Sequence, residues 1–319
     1  MKPRILLTGK NGQVGSDLAL LLPHVGEVVA LDRQQLNLLK PQEIRRTIRE
    51  IQPQLIVNAA AYTAVDQAES DQASARAVNA LGPAVIAEEA KRIGAGLVHY
   101  STDYVFDGSK HSPYDEKDPP HPINFYGQTK LEGERAIQGA ALPYLIFRTT
   151  WVYATRGRNF LLTILRLATE REELRIVQDQ AGAPTWSREI AAATTNILTQ
   201  LCAHRNDLSA MSEVSGTYHM SAGGETNWWA FANAILEEAL HALRATPWLA
   251  STINEKPLIV RRVIPISTQE YPTPARRPAY SILSNSLLKQ TFRVQLSDWR
   301  AQLQSAFVDD RDPKVLANS

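Results

Sequence analysis

Short apolar runs alternate with amphipathic segments along the first half of the chain. The apolar runs have the length and composition of buried strands; they are Arg4–Thr8, Val28–Asp32, Leu55–Asn58, Gly96–Ser101 and Leu145–Arg148. The segments between them repeat apolar residues at helical spacing; they begin near Gln13, span Pro41–Ile51 and Ala73–Ile93, and begin again near Tyr126. This alternation predicts an α/β fold, a Rossmann-type doubly wound parallel sheet with ligands at the carboxyl ends of its strands.

The regular alternation weakens after residue 150, where elements become shorter and loops longer. We therefore predict a dinucleotide-binding domain over residues 1–150. Residues 151–308 are expected to form mainly a smaller α/β substrate-binding domain, with some segments returning to the first domain, and residues 309–319 a polar tail. A helix is predicted over Trp228–Leu243 and an extended Pro-rich loop over Pro265–Pro278.

Composition excludes several classes of function. The 34 Lys and Arg against 33 Asp and Glu give a formal charge of +1, which offers no field to attract a nucleic acid. A single cysteine, Cys202, excludes an internal disulfide framework and fits a small buried apolar role in a reducing compartment. No run of about 18 apolar residues is present, so no membrane partner is expected and the cytoplasm is the expected location.

Three glycines follow the first predicted strand directly and open the first helix. Gly9, Gly12 and Gly15 have the spacing that permits a tight turn and close backbone approach to a pyrophosphate. Asp32 ends the second strand, where an acid can bind the adenosine ribose of NADH. Arg33 follows and could meet the 2′-phosphate of NADPH, so both cofactors stay open. The small Ala59, Ala60 and Ala61 end the third strand, where a dinucleotide would cross the sheet.

Tyr126 and Lys130 stand four residues apart on a predicted helix and therefore share one face. An adjacent ammonium favours the phenolate, so we expect Lys130 to lower the pKa of Tyr126 toward the working pH. Ser101 and Thr102 end a predicted central strand, and a hydroxyl there could bind the same carbonyl oxygen as the phenol. Groups converging on one oxygen beside a dinucleotide predict hydride transfer to a ketone.

Seven segments spread over nearly the whole chain carry a family resemblance; they are Gly9–Gly15, Val57–Asp66, His99–Phe106, Tyr126–Lys130, Phe147–Tyr153, Asp179–Thr185 and Tyr271–Pro278. With them the chain resembles the extended short-chain dehydrogenases of the nucleotide-sugar-modifying branch. The resemblance implies NADPH- or NADH-dependent reduction of the C4 keto group of dTDP-4-dehydro-6-deoxy-L-mannose to dTDP-L-rhamnose.

The resemblance also implies roles for particular residues. The pyrophosphate would be held by Gly12, Gln13 and Val14. The remaining cofactor contacts would come from Asp32 at the adenosine, from Ala61, Tyr62 and Thr63 along the cofactor, and from Tyr126 and Lys130 at the nicotinamide ribose. The sugar would meet Thr102, Asp103 and Trp151. At the adenine end, Asn37–Leu38 stands where relatives often carry an acid followed by Leu or Phe, so that contact would lose its charge.

Some relatives form homodimers held in part by magnesium, and Asp17 and Glu189 are the nearest matches to their carboxylates. Asp17 is shorter than the usual Glu, so a Mg²⁺ site and a solvated surface both remain open. Arg276 or Arg277 could pair with a substrate diphosphate or form a structural salt bridge. The adjacent Trp228 and Trp229 could shape the pocket or serve packing.

Two rival functions remain. Dehydratases and epimerases share the scaffold, but dehydratases of this branch place an Asp-Glu pair after the catalytic Thr. Here Thr102 is followed by Asp103 and Tyr104, which favours simple reduction. A regulatory subunit that keeps the fold without chemistry can lose its Tyr or Lys, whereas Tyr126 and Lys130 are both present.

Overall fold

The computed structural model describes residues 2–203, 209–242 and 246–309. Within these ranges the strands are β1 (Arg4–Thr8), β2 (Glu27–Leu31), β3 (Leu55–Asn58), β4 (Gly96–Thr102), β5 (Tyr144–Thr149), β6 (Val152–Tyr153), β7 (Glu173–Val177), β8 (Ala181–Gly182), β9 (Thr185–Trp186), β10 (Gly216–His219), β11 (Thr226–Asn227) and β12 (Arg262–Ile266). The α-helices are α1 (Gln13–Leu21), α2 (Pro41–Ile51), α3 (Val65–Ala68), α4 (Gln72–Arg76), α5 (Gly82–Ile93), α6 (Phe125–Gly139), α7 (Phe160–Ala168), α8 (Ser187–Ala203), α9 (Trp228–Ala242), α10 (Pro247–Ile253), α11 (Ser286–Phe292) and α12 (Trp299–Phe307).

The central sheet has six strands in the order β10-β5-β4-β3-β1-β2, and every pairing is parallel. The order reverses at β1, which lies between β3 and β2, so a crevice opens there at the carboxyl ends of the strands. The predicted doubly wound parallel sheet is confirmed. In the register, Thr8 of β1 pairs with Asn58 of β3, which pairs with His99 of β4.

Helices bury both faces of this sheet. One face carries α1, α8 and α11, whose Leu18, Ile197 and Phe292 join the strand side chains in one cluster. The other carries α2, α5 and α6, represented by Ile44 and Ile86. Two-sided burial explains why the strands read as continuous apolar runs rather than as alternating ones.

Elements after residue 150 form a second cluster and also return to the first. The cluster gathers side chains of α7, α9, α10 and α12 beside the parallel pair β7–β12. In contrast, β10 is the sixth strand of the central sheet, and α8 packs on α1. Cys202 of α8 packs against the first core. The predicted tail lies outside the described residues from position 310 onward.

Two predicted segments differ from the structure. The helix expected over Ala73–Ile93 is divided into α4 and α5 by a π-helical turn at Ala77–Leu81. Pro83 explains the wide turn, because proline has no N–H to donate to the Asn79 carbonyl four residues earlier. The loop expected over Pro265–Pro278 contains the end of β12 and a short 3-10 turn at Thr268–Glu270.

Candidate active site

The glycine turn between β1 and α1 lies against the end of β3. Gly9 has φ +72°, and a Cβ built there would stand 2.7 Å from the amide nitrogen of Ala60. A Cβ on Gly15 would stand 2.1 Å from the carbonyl oxygen of Gly9. Both positions therefore require glycine, one for conformation and contact and the other for close helix packing.

The start of α1 fits a pyrophosphate. Gly12 is the N-cap, with an extended backbone (φ −73°, ψ 170°), and it has no side chain that could bind the first-turn amides. The amides of Gln13 and Val14 therefore face the turn with the positive end of the helix dipole, as an anion requires. The Gln13 side chain is used elsewhere, since it accepts from Asn159 Nδ2 at 2.9 Å.

Asp32 follows β2 and is held in an Asx turn. Its Oδ1 accepts from the backbone amides of Gln34 at 2.9 Å and Gln35 at 3.1 Å. Lys10 Nζ lies 4.0 Å from Asp32 Oδ2, and Arg33 is exposed beside it. The acid is thus flanked by two cations, of which the sequence prediction included only Arg33.

Asn37 and Leu38 have structural partners of their own. Asn37 Oδ1 accepts from the Leu39 amide at 3.0 Å, and its own amide donates to Glu43 Oε1. Leu38 is 5% exposed and belongs to the core beneath the sheet. Their adenine contact stays a prediction.

The segment after β3 leads from the cofactor crevice to the catalytic helix. Ala59 and Ala60 are half-buried, whereas Ala61 and Thr63 are exposed. The Tyr62 amide donates to Asn79 Oδ1 at 2.8 Å, and Asn79 Nδ2 donates to the Tyr62 carbonyl at 3.0 Å.

Asn79 also joins this segment to α6, because its Nδ2 donates to Thr129 Oγ1 at 3.2 Å. Asn79 is 1% exposed and lies in the π-helical turn. Sequence reasoning missed it; a polar residue inside an Ala-rich helical run was the available signal.

Tyr126 lies in the first turn of α6 with Thr102, the last residue of β4, bonded to its hydroxyl. Of the two candidate hydroxyls, Thr102 is therefore the one at the phenol, whereas Ser101 Oγ is buried without a hydrogen-bond partner among the described residues. Burial, and the nearby charge of Asp103, raise the pKa of Tyr126. A phenol with a raised pKa is a proton donor rather than a base.

The predicted tuning of Tyr126 by Lys130 is wrong in this structure. Lys130 Nζ donates to the Tyr100 carbonyl at 2.6 Å and lies 3.3 Å from His99 Nε2, so its charge is directed into the sheet. The pKa of Lys130 falls to about 8 because of burial, opposed by the charge of Glu134. An ammonium has three N–H donors, so one remains for a ribose hydroxyl.

Asp103 is buried beneath the phenol and bound by hydroxyls. Its Oδ1 accepts from Thr102 at 2.9 Å and its Oδ2 from Thr150 at 2.8 Å. Burial raises its pKa to about 6, opposed by these bonds and one from Ser281. Tyr104, at the position where a dehydratase carries Glu, packs its ring edge-on to Tyr126 at 5.8 Å.

Trp151 follows β5 in the left-handed region, with φ 45°. Its ring stacks on Trp228 at 3.5 Å and 7°, and Gly182 packs so closely against the ring that a Cβ there would stand 2.2 Å from Trp151 Cε2. Such a conformation costs about 1–3 kcal/mol, which the stacking helps to offset. Trp228 therefore orients Trp151, whereas Trp229 bonds the Val263 carbonyl and serves packing.

The two adjacent arginines have different surroundings. Arg277 forms an ion pair with Asp66 at 2.8 Å, which ties the C-terminal loop to α3. The Arg276 carbonyl accepts from Asn124 Nδ2, and the residue is exposed. The structural alternative thus applies to Arg277, and Arg276 stays a predicted substrate contact.

The geometry gives no support to a Mg²⁺ site at Asp17 and Glu189. Asp17 Oδ2 accepts from Ser187 Oγ at 2.6 Å, and Arg188 lies 3.8 Å from Oδ1. Across the described residues, no group of three or more His, Cys, Asp or Glu side chains could hold a metal ion.

No helix within the described ranges is both long enough and apolar enough to cross a membrane.

A dinucleotide cradle that ends beside a buried Tyr–Lys–Thr set is the arrangement of the extended short-chain dehydrogenases. The family model described as "RmlD substrate binding domain" matches residues 1–311. The chain is 51% identical over 297 residues to the dTDP-4-dehydrorhamnose reductase of Burkholderia thailandensis, covering 93% of this chain and 95% of that one. The Escherichia coli K12 reductase is 42% identical over 300 residues, covering 93% and 94%.

Solved structures agree. The Bacillus anthracis dTDP-4-dehydrorhamnose reductase in complex with NADP superimposes with a TM-score of 0.84 at 34% identity, covering 97% of this chain and 100% of that one. The Thermus thermophilus UDP-glucose 4-epimerase shares the fold, with a TM-score of 0.72 at 19% identity over 96% and 99% of the chains. This chain belongs to the dTDP-4-dehydrorhamnose reductase family, as the resemblance in its motifs predicts.

Proposed function

We propose that the protein reduces the C4 keto group of dTDP-4-dehydro-6-deoxy-L-mannose with NADPH or NADH, giving dTDP-L-rhamnose. The observation that carries the proposal is that Tyr126 and Lys130 of α6 both meet the carboxyl-terminal part of β4, Tyr126 at Thr102 and Lys130 at the Tyr100 carbonyl, beside the glycine cradle of β1 and α1. Family relatives named dTDP-4-dehydrorhamnose reductase support the choice of sugar.

The residues divide the work as follows. Tyr126 donates the proton that turns the reduced carbonyl oxygen into a hydroxyl, and its raised pKa keeps that proton available. Thr102 aligns the phenol, and Lys130 offers its remaining N–H to the nicotinamide ribose. A bound nicotinamide supplies the hydride. Burial of all three side chains excludes water from the reacting oxygen.

The dehydratase alternative fits less well. Its extra proton transfers need an acid next to the Asp, and Tyr104 occupies that position with its ring against Tyr126. A regulatory role without chemistry would not require Lys130 to be 2% exposed and aligned with Tyr126 on one helix.

The test follows the absorbance of NADPH and NADH separately, with the keto sugar generated in situ, and identifies the product by mass spectrometry. We expect oxidation that depends on the sugar and yields dTDP-L-rhamnose. Tyr126→Phe is expected to lower turnover by about two orders of magnitude with cofactor affinity nearly unchanged. Cofactor binding without oxidation of either reduced cofactor would refute the proposal. A homodimer and a cytoplasmic location remain predictions.

A further inference from the structure

A line of four buried polar side chains crosses the central sheet to Lys130. Thr8 Oγ1 donates to Asn58 Oδ1 at 2.6 Å, and Asn58 Nδ2 lies 3.0 Å from His99 Nδ1. His99 Nε2 lies 3.3 Å from Lys130 Nζ. Each of the four is at most 2% exposed. The sheet register explains the line, since the first three are paired neighbours on β1, β3 and β4.

Proton counting shows that this line has a direction. Burial, and the charge of Lys130, lower the pKa of His99 well below its usual value, so its imidazole is neutral and carries one proton. Asn58 Oδ1 receives the Thr8 hydroxyl, which leaves the amide Nδ2 to donate to His99 Nδ1. The ring proton is then on Nε2 and points at Lys130 Nζ. A neutral amine can accept this hydrogen bond, whereas an ammonium has no lone pair and cannot.

The opposite direction also connects the four side chains. If the Asn58 amide is reversed, its Nδ2 donates to the Thr8 hydroxyl and its Oδ1 accepts from His99 Nδ1–H. His99 Nε2 then accepts from the Lys130 ammonium. The amide oxygen and nitrogen have nearly the same size, so both directions fit the same space. Each direction gives both ring nitrogens of His99 and the Lys130 Nζ a matching partner for one protonation state of Lys130, and in the reversed direction the Thr8 hydroxyl accepts a bond instead of donating one.

We propose that Thr8, Asn58 and His99 are positioning residues whose hydrogen-bond direction switches with the protonation of Lys130. Because Nζ keeps His99 and the Tyr100 carbonyl as partners in both states, Lys130 can gain or lose a proton without leaving its place. The consequence for reduction rests on the proposed function. The switch itself is a property of the folded chain.

Other charged groups near this line have their own partners. Only Glu134 among them acts on Lys130, and its carboxylate is paired with Arg148 at 2.6 Å on β5. Among the remaining charged and titratable groups on elements packed against α6 and β4 are Asp103 with Thr102 and Thr150, Tyr126 with Thr102, Tyr104 against Tyr126, Tyr100 with Thr194, Asp66 with Arg277, Arg76 with Glu132, and Glu89 with Arg45 and Arg49.

The test is NMR of protein labelled with ¹⁵N in the histidine rings, titrated with pH, with the His99 signals assigned by their loss in His99→Gln. We expect the ring proton to be on Nδ1 when Lys130 is charged and on Nε2 when it is neutral, with a midpoint near the Lys130 pKa of about 8. His219 is the internal control. Its Nδ1 is fixed 3.1 Å from the Tyr114 carbonyl, so its tautomer should not change.

Two variants separate the switch from other causes. Lys130→Met has no titrating group, so His99 should show one tautomer throughout. Lys130→Arg stays charged, so His99 should remain protonated on Nδ1 throughout the titration. This variant serves as the test if the methionine variant does not fold. A wild-type His99 that keeps one tautomer across the titration, or one that still switches in either variant, would overturn the proposal.

Asn58→Asp gives a kinetic check. A carboxylate there accepts from both neighbours, so His99 Nε2 must accept from Lys130, and the midpoint of the pH–rate profile should rise by about one pH unit. An unchanged or lowered midpoint would contradict the hydrogen-bonded line from Thr8 to Lys130. A tautomer switch in a protein that does not reduce the keto sugar would refute the proposed function alone. Reduction of the keto sugar by a protein in which the His99 tautomer does not change would refute this inference alone.

Discussion

Because the carboxyl of Asp103 is buried, we predict that the free energy of unfolding falls as pH rises. Its pKa is raised from 3.8 to about 6, so the folded protein holds this proton at pH values where the unfolded chain has released it. Below about pH 4 both states are protonated and nothing is lost. Between about pH 4 and 6 the free energy of unfolding declines, and above that range the loss is constant. At about 1.4 kcal/mol per pH unit, the full loss is about 3 kcal/mol.

Asp103→Asn removes the titration while it keeps the size of the side chain. Relative to wild type, the variant should gain about 2–3 kcal/mol in unfolding free energy between pH 4 and 7, measured by urea denaturation at several pH values. Every other titrating group is shared and cancels in the difference. Asp107→Asn is the matched control, because the bonds from Ser109 lower the Asp107 pKa and its difference from wild type should be flat over this range.

A difference between Asp103→Asn and wild type that does not change with pH would refute the reasoning. It would mean that the hydroxyls of Thr102, Thr150 and Ser281 fully replace the lost hydration of the carboxylate.

Three further predictions concern the cradle and the catalytic helix. Gly15→Ala should abolish cofactor binding measured by fluorescence, because its Cβ meets the Gly9 carbonyl at 2.1 Å, whereas Gly139→Ala, with nothing within 4 Å, should bind normally. Glu134→Gln should cost about 3–5 kcal/mol in urea denaturation by leaving the buried Arg148 charge unpaired; a cost below about 1 kcal/mol would contradict this. Lys10→Ala should raise the KM for NADPH several-fold and leave that for NADH nearly unchanged, and equal effects on both cofactors would exclude a 2′-phosphate contact.

The sequence determined five of the six strands of the central sheet, each to within one residue at its ends, whereas β10, which joins the sheet from beyond residue 150, was not predicted. Continuous apolar runs are buried between two helical layers, and Gly15 has no substitute because a Cβ there would stand 2.1 Å from the Gly9 carbonyl oxygen. The family motifs then indicated which polar residues gather at one edge of the sheet. These features are local in the chain or fixed by the 3.6-residue helical repeat.

Only the tertiary structure decided how those polar groups pair. Helical spacing placed Lys130 beside Tyr126, but the neighbouring strand supplied a carbonyl and an imidazole that direct the ammonium away from the phenol. Asn79 binds Thr129 from 50 residues away, and Thr150 binds Asp103 from 47 residues away, so neither contact can be read from the local sequence. Burial then sets the pKa of each group, because desolvation depends on which helices and strands enclose it rather than on its neighbours in sequence.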